Sequence, residues 1–182
     1  MRTLPLLLLC LPIPCLAADE PVMLTLFDFE SGVSEWRANP WSGGKGFVEP
    51  APEAKFGKGA LRARYEQIPQ GCNMISPYFA ADAPWREGDY DAICFWLKGD
   101  GTQSYLHLYL ASEVGDLAPT HAGQVPLSST QWRRFCLRFD TLWNREGRPF
   151  ELKHFQRLYF GTSGTHEALI DQVQLQRPLR AV

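Results

Sequence analysis

The chain has 182 residues, 18 Lys and Arg against 20 Asp and Glu, and 45% hydrophobic content. That content excludes a solvated disordered chain, and a pI near 6.1 excludes the broad basic face that general nucleic-acid binding needs. The aromatic load stands out: eleven Phe, six Trp and six Tyr.

Met1-Arg2-Thr3 leads into an apolar run, Leu4 to Leu16, and then into Ala17-Ala18-Asp19. A short basic start, an apolar stretch and a small-residue exit read as a secretory signal over residues 1–18. The run is broken by Pro5, Pro12 and Pro14 and is too short to span a bilayer. The expectation is export to the periplasm or the extracellular space, with one domain over 19–182. Removing Arg2 leaves 17 basic against 20 acidic groups, so the mature chain stays mildly acidic. Cys72, Cys94 and Cys136 remain. An oxidising compartment allows one disulfide with three pairings, or three free thiols.

The mature chain runs in short period-two segments between Gly, Pro, Asn and Asp turns. Strands are predicted near 22–30, 46–49, 58–66, 72–79, 90–98, 104–112, 121–127, 131–139, 156–161 and 168–176. Only 140–144 and 151–155 suit a helical turn. About ten strands point to an all-β fold, a two-sheet antiparallel β-sandwich of jelly-roll type.

Alternation assigns faces. Ile93, Phe95 and Leu97 oppose Cys94, Trp96 and Lys98. Leu106, Leu108 and Leu110 oppose Tyr105, His107 and Tyr109. Phe135, Leu137 and Phe139 oppose Arg134, Cys136 and Arg138, and Leu158 with Phe160 opposes Tyr159. The aliphatic and Phe faces belong to the core. If these strands share one sheet, its outer face carries Trp96, Tyr105, His107, Tyr109, Arg134, Arg138 and Tyr159. Flat aromatics stack on the apolar faces of sugar rings, while His and Arg hydrogen-bond hydroxyls. Arg also pairs with the carboxylates of an acidic polysaccharide. The competing expectation is that loops cover this face and bury its rings. His121, His154 and His166 fall in predicted loops, with no metal-ligand spacing.

Asp171 shares the parity of Leu169, Val173 and Leu175, and an acid on an apolar face needs a partner. If the termini meet, Asp28 or Glu30 would join Asp171 beside turn carbonyls near Gly57 and Lys58. Oxygen ligands of that kind suit Ca²⁺. The alternative is a buried carboxylate bonded to cations or backbone amides.

Several segments in order resemble the galactose-binding-like jelly rolls. The similarity is to carbohydrate-binding module family 11 and the complex I intermediate-associated protein 30 family. The segments are Leu26-Phe27-Asp28-Phe29-Glu30, Gly57-Lys58-Gly59-Ala60-Leu61-Arg62, Tyr90 to Gly101, Trp132 to Phe139, Leu158-Tyr159-Phe160-Gly161 and Ile170-Asp171-Gln172-Val173. The resemblance implies glycan binding on a concave face and a structural calcium held by Glu30 and Asp171. The usual acidic pair of the last strand is Asp171-Gln172 here. The expected partner is a polysaccharide or oligosaccharide, and the expected role is non-catalytic. The alternatives are a small polysaccharide lyase, in which Arg neutralises a uronate while Tyr or His moves the proton, and a module that binds a protein partner.

Overall fold

The structure is a computed structural model that describes residues 21–40, 44–66, 71–112, 121–144 and 147–178. The predicted export signal at 1–18 lies outside the described residues. Eleven strands form: β1 (Met23–Phe27), β2 (Arg37–Pro40), β3 (Lys45–Pro50), β4 (Leu61–Glu66), β5 (Cys72–Ile75), β6 (Ala92–Lys98), β7 (Tyr105–Ala111), β8 (His121–Pro126), β9 (Arg133–Arg138), β10 (Arg157–Thr162) and β11 (His166–Gln176). Single 3₁₀ turns occupy Pro84–Glu87, Phe139–Thr141 and Leu152–His154. The last falls inside a segment predicted to turn, 151–155, and the one before it overlaps the other, 140–144.

The strands make two antiparallel sheets. The first has the order β3-β4-β11-β6-β9, with β1 paired to the far half of β11. The second has the order β2-β5-β10-β7-β8. The chain is the expected all-β sandwich, with one more strand than predicted. The extra strand is β2, whose sequence Arg-Ala-Asn-Pro lacks β-branched and large apolar residues. As an edge strand it forms through its pairing with β5.

The core lies between the sheets, where the predicted inward residues meet. Ile93, Phe95, Leu97, Leu106, Leu108, Leu110, Leu158 and Phe160 are all buried in one cluster. Trp36 stacks on Phe160 at 6.0 Å, and Phe95 meets Phe160 edge-on at 5.1 Å. Trp36 and most Phe residues thus belong to packing. Arg86, although buried, donates to the carbonyls of Ala80, Lys153 and Phe79 and ties the loop before β6 to the loop before β10.

The last strand corrects one expectation. Ala168 and Ile170 point into the core, and so do Val173 and Leu175. This change of parity needs an irregularity, and the register of β11 against β6 shifts between Asp171 and Gln174. Gln172 there has φ of 48°, and such a bulge re-aims the side chains on either side of it. Asp171 therefore does not share the inward face of Val173 and Leu175. It sits opposite Trp96 on the outside of the first sheet.

His121 and His166 also depart from the reading as loop residues, since each begins a strand.

Candidate functional site

The topology splits the seven residues expected on one face. β6 and β9 belong to the first sheet, and β7 and β10 to the second. Trp96, Arg134 and Arg138 are therefore on one outside of the sandwich, and Tyr105, His107, Tyr109 and Tyr159 on the other. Alternation fixes which face of a strand is inward, but not which sheet the strand joins.

On the first sheet the three residues are engaged within the protein. Lys55 Nζ lies 4.7 Å from the Trp96 ring, and the Phe56 ring meets Trp96 edge-on at 5.5 Å. Arg134 reaches Gln176 Oε1 at 3.4 Å. Arg138 donates to both carboxylate oxygens of Asp140, at 3.1 and 2.7 Å. Cys94 and Cys136 face each other across β6 and β9 and are joined by a disulfide, while Cys72 is free and buried.

The second sheet is different. Its inward residues include Met74, Leu106, Leu108, Leu158 and Phe160, so the alternate positions face out. Registers align Asn39 with Asn73, Asn73 with Gly161, Gly161 with His107, and His107 with Gln124. One polar row thus crosses all five strands, a span of about 19 Å at the usual strand spacing. The Asn73 side chain and the Tyr109 ring close over Gly161 at its centre, where a Cβ would meet Asn73 Oδ1 at 2.1 Å and Tyr109 Cε2 at 3.3 Å. Asn73 Oδ1 is buried and makes no hydrogen bond.

The neighbouring row runs Arg37, Ile75, Tyr159, Tyr109 and Ala122. Its middle is closed: Ile75, Tyr159 and Ala111 form a small buried cluster, with Tyr109 packed against it. Arg157 Nε donates to the Tyr159 hydroxyl at 2.9 Å, and the guanidinium lies 4.2 Å from the Tyr78 ring. The competing expectation, rings buried by their surroundings, holds for Tyr159, which is 3% exposed. Tyr105 instead is 48% exposed. His107 and Tyr109 are half-buried, with nearly parallel rings 5.9 Å apart. Burial lowers the His107 pKa below that of an ordinary histidine and raises that of Tyr109. At neutral pH this face thus presents a neutral imidazole beside a protonated phenol.

Sequence reading did not find Arg37, Asn39, Asn73, Gln124 and Tyr78. The first two lie on the strand that composition hides. Asn73 and Gln124 are ordinary polar residues whose only signal is their register partner, and Tyr78 lies in the loop after β5.

Glu30 and Asp171 both meet the loop before β4. Asp171 Oδ2 accepts from the Lys55 and Phe56 amides at 2.8 and 2.9 Å. Glu30 Oε1 accepts from the Lys58 and Gly59 amides, each at 2.9 Å. The tight approach explains the glycines: Gly57 has φ of 60°, and a Cβ on it would lie 2.2 Å from Glu30 Oε1. Asp28 is used locally, accepting from the Glu30 amide at 3.1 Å. The loop thus turns amides, not the expected carbonyls, toward the acids. Burial raises the Asp171 carboxyl above its ordinary range against the pull of these amides, and the nearby Glu30 charge adds to the rise. Asp171 Oδ1 is buried with no hydrogen-bond partner. Two like charges and an orphaned carboxylate oxygen fit a hard divalent cation. Among the described residues no three His, Cys, Asp or Glu side chains converge, so further ligands would have to be other oxygens.

A cleft of about 350 Å³ beside β1 is lined by Thr25, Phe27, Asp28, Ser31, Glu35 and Trp36, and by none of the residues of the polar row.

No protein-family model matches the sequence, and no curated protein matches it. Solved structures do. The chain superposes on the family 11 carbohydrate-binding module from Clostridium thermocellum in complex with a β-1,3-1,4-mixed-linked tetrasaccharide, with a TM-score of 0.70 at 16% identity, covering 87% of this chain and 98% of that one. The fold is that of the family 11 carbohydrate-binding modules. The module of the cellulosomal cellulase Lic26A-Cel5E of the same organism gives 0.69 at 14% identity over 90% and 99% of the chains. An exo-β-agarase gives 0.59 at 13% identity, over 85% of this chain and 25% of the agarase. Among the described residues no helix is long and apolar enough to cross a membrane.

Proposed function

We propose that this is an exported, non-catalytic polysaccharide-binding protein, and that the glycan lies along the outer face of the second sheet. The observation that carries this reading is the row Asn39, Asn73, Gly161, His107 and Gln124 beside Tyr105 and Tyr109. It pairs directional hydrogen-bonding groups with flat apolar area, as a sugar chain requires. The similarity to modules solved as oligosaccharide binders supports it. Tyr105, His107 and Tyr109 are the contact residues in this reading. Tyr159, buried beside Tyr109 on the neighbouring strand, supports it and does not itself stack. Trp96, Arg134 and Arg138 have no part in it, since their partners on the first sheet already occupy them.

The five strands of this sheet contain no Asp or Glu, so they do not supply the two carboxylates that flank a bond in glycoside hydrolysis. Affinity electrophoresis and calorimetry against a broad glycan panel test the reading. Binding that is lost in Tyr109→Ala and kept in Trp96→Ala is the expected result. Release of unsaturated product from a uronan would instead make the face a lyase site.

Calcium belongs to the same proposal as a structural ion. Glu30 and Asp171 would hold it through carboxylate oxygens, joining the turn after β1, the loop before β4 and the bulge of β11. When bound it supplies charge neutralisation for two neighbouring acids. The measurement is the melting temperature with calcium against chelator, and a rise with calcium is expected.

A further inference from the structure

The acids on the strands of the sandwich are unevenly shared. The chain has slightly more acids than bases. The strands of the first sheet carry Glu49, Glu66, Glu167 and Asp171 among seven Lys and Arg. The strands of the second carry no acid, yet they carry the exposed Arg37 and the buried Arg157. The face proposed to hold the glycan is thus the one strand surface of the molecule from which carboxylates are missing.

Arg37 is also unlike the other described arginines. Arg62, Arg64 and Arg138 are paired with carboxylates. Arg86 is spent on three carbonyls, Arg133 bonds Ser129, and Arg134 bonds Gln176. Arg157 bonds Tyr159, Arg177 lies over Tyr90, and Arg148 is engaged as well. Arg37 is exposed and, among the described residues, has no side-chain hydrogen bond, ion pair or ring contact. It sits opposite Ile75, two register pairs along from Asn39 and Asn73 and on the same face. The diagonal from Arg37 to Asn73 is about 7–8 Å for strands paired this way. Arg37 is thus an exposed, unpaired guanidinium at the edge of the acid-free face, while the buried Asn73 Oδ1 lies over Gly161, on the side of β5 away from β2.

The two groups ask for different things. Asn73 Oδ1 is an acceptor and wants a hydroxyl or N–H. Arg37 is a fork of donors that matches a carboxylate or a sulfate oxygen pair. We propose that the polysaccharide taken by this face is anionic, bearing carboxylate or sulfate groups beside free hydroxyls, and that Arg37 is the residue that selects it. The proposal rests on the second-sheet face being the binding face, and adds to it the class of glycan. General attraction to polyanions is not the source, because the whole chain is mildly acidic and repels them.

The test uses the folded mature chain. Calorimetry and affinity electrophoresis are run with three probes: a neutral mixed-linked β-glucan, polygalacturonate and a sulfated galactan. The variants are Arg37→Gln, Arg37→Lys and Tyr109→Ala, each checked for an unchanged melting temperature. The expected result is that one or both anionic polymers bind at least tenfold tighter than the glucan. Arg37→Gln should remove most of that preference, a loss of roughly tenfold, while Arg37→Lys keeps part of it. Preference for the uronan over the sulfated polymer, or the reverse, identifies the anion. Glucan binding equal to that of the polyanions, unchanged by Arg37→Gln and lost in Tyr109→Ala, would overturn the anionic class and leave the binding face standing. Polyanion binding that survives both Arg37→Gln and Tyr109→Ala would overturn both. So would no binding of any probe. A charge on an edge strand also discourages pairing with another chain. If Arg37→Gln self-associates while its glycan binding is unaltered, Arg37 guards the edge and the selectivity role fails.

Discussion

The two outer faces of this sandwich are built from similar residue types and behave oppositely. On the first sheet Arg62 bridges Glu49 and Glu167, and Arg64 bridges Glu49 and Glu66. Lys98 pairs with Glu53. Trp96 sits under Lys55 and Phe56, and a disulfide closes β6 to β9. Most charged groups there find a partner inside the protein, although Arg62 Nε, Arg64 Nε and Asp171 Oδ1 are buried without a hydrogen bond. On the second sheet the row from Asn39 to Gln124 contains an orphaned amide oxygen and no acid. A face whose groups are mutually satisfied has little left to offer a ligand. The absence of strand acids and the exposure of Tyr105, more than orphaned buried atoms, set the second sheet apart as the face proposed to bind glycan.

The largest effect that sharpens this contrast is loss of the disulfide. Joining residues 42 apart restricts the unfolded chain, so Cys94→Ser with Cys136→Ser should cost about 2–4 kcal/mol of stability. Urea unfolding measures it. Glycan affinity should not move, because the bond lies on the first sheet. A large loss of affinity in the folded double variant would mean that the two faces are not independent.

Next in size is the face itself. Tyr109→Ala should weaken glycan binding roughly ten- to hundredfold, the range for a buried-edge aromatic anchor. Trp96→Ala should leave affinity unchanged and instead lower stability through its lost contacts with Lys55 and Phe56. Calorimetry on both variants, paired with thermal melts, is the direct comparison. Equal losses of affinity would erase the distinction between the faces.

A smaller effect is expected where the chain crosses from the first sheet to the second, in the turn between β6 and β7. Asp100 accepts from the Thr102 hydroxyl at 2.6 Å and amide at 3.0 Å, and lies 2.8 Å from His166 Nδ1. Burial works to raise its pKa, but these bonds outweigh burial and hold it below 3.8. A carboxylate lowered in the fold stabilises above its unfolded value, and that stability is lost as pH falls through the folded value. Asp100→Asn should therefore cost about 1–2 kcal/mol at neutral pH and progressively less below pH 3.8. Chemical denaturation at pH 7 and at pH 3 checks the slope. A cost that does not shrink with acid would assign the loss to packing.

The fold was legible because local pattern dictates it. Alternation in 93–98, 105–110 and 157–160 named the inward residues, since each strand must bury one face whichever sheet it enters. The site was legible only in part. Tyr105, His107 and Tyr109 lie on one strand, so period two alone groups them. Trp96 and Arg134 were grouped with them by parity, but sheet membership is a long-range property. β2, with Arg37 and Asn39, carries no hydrophobic pattern, because an edge strand with one inward alanine buries little. The bulge at Asp171 was hidden for a related reason. One extra residue in a strand leaves composition unchanged while reversing every side chain beyond it.

The smallest expected change tests the one acid on the first sheet that lacks full satisfaction. Asp171→Asn keeps an oxygen for the Lys55 and Phe56 amides and removes the charge that burial and Glu30 oppose. The aspartate has a folded pKa raised above 3.8, so it stabilises below that pH and loses this contribution as pH rises through the folded value. At neutral pH without calcium the asparagine should thus match or slightly exceed the native melting temperature. With calcium the order should reverse, because only the aspartate gains from the ion. If calcium stabilises both forms equally, Asp171 does not hold it. If Asp171→Asn is strongly destabilised in chelator, the charge already has a partner among the protein's own groups, and the first sheet is as fully satisfied at this acid as it is at Glu49.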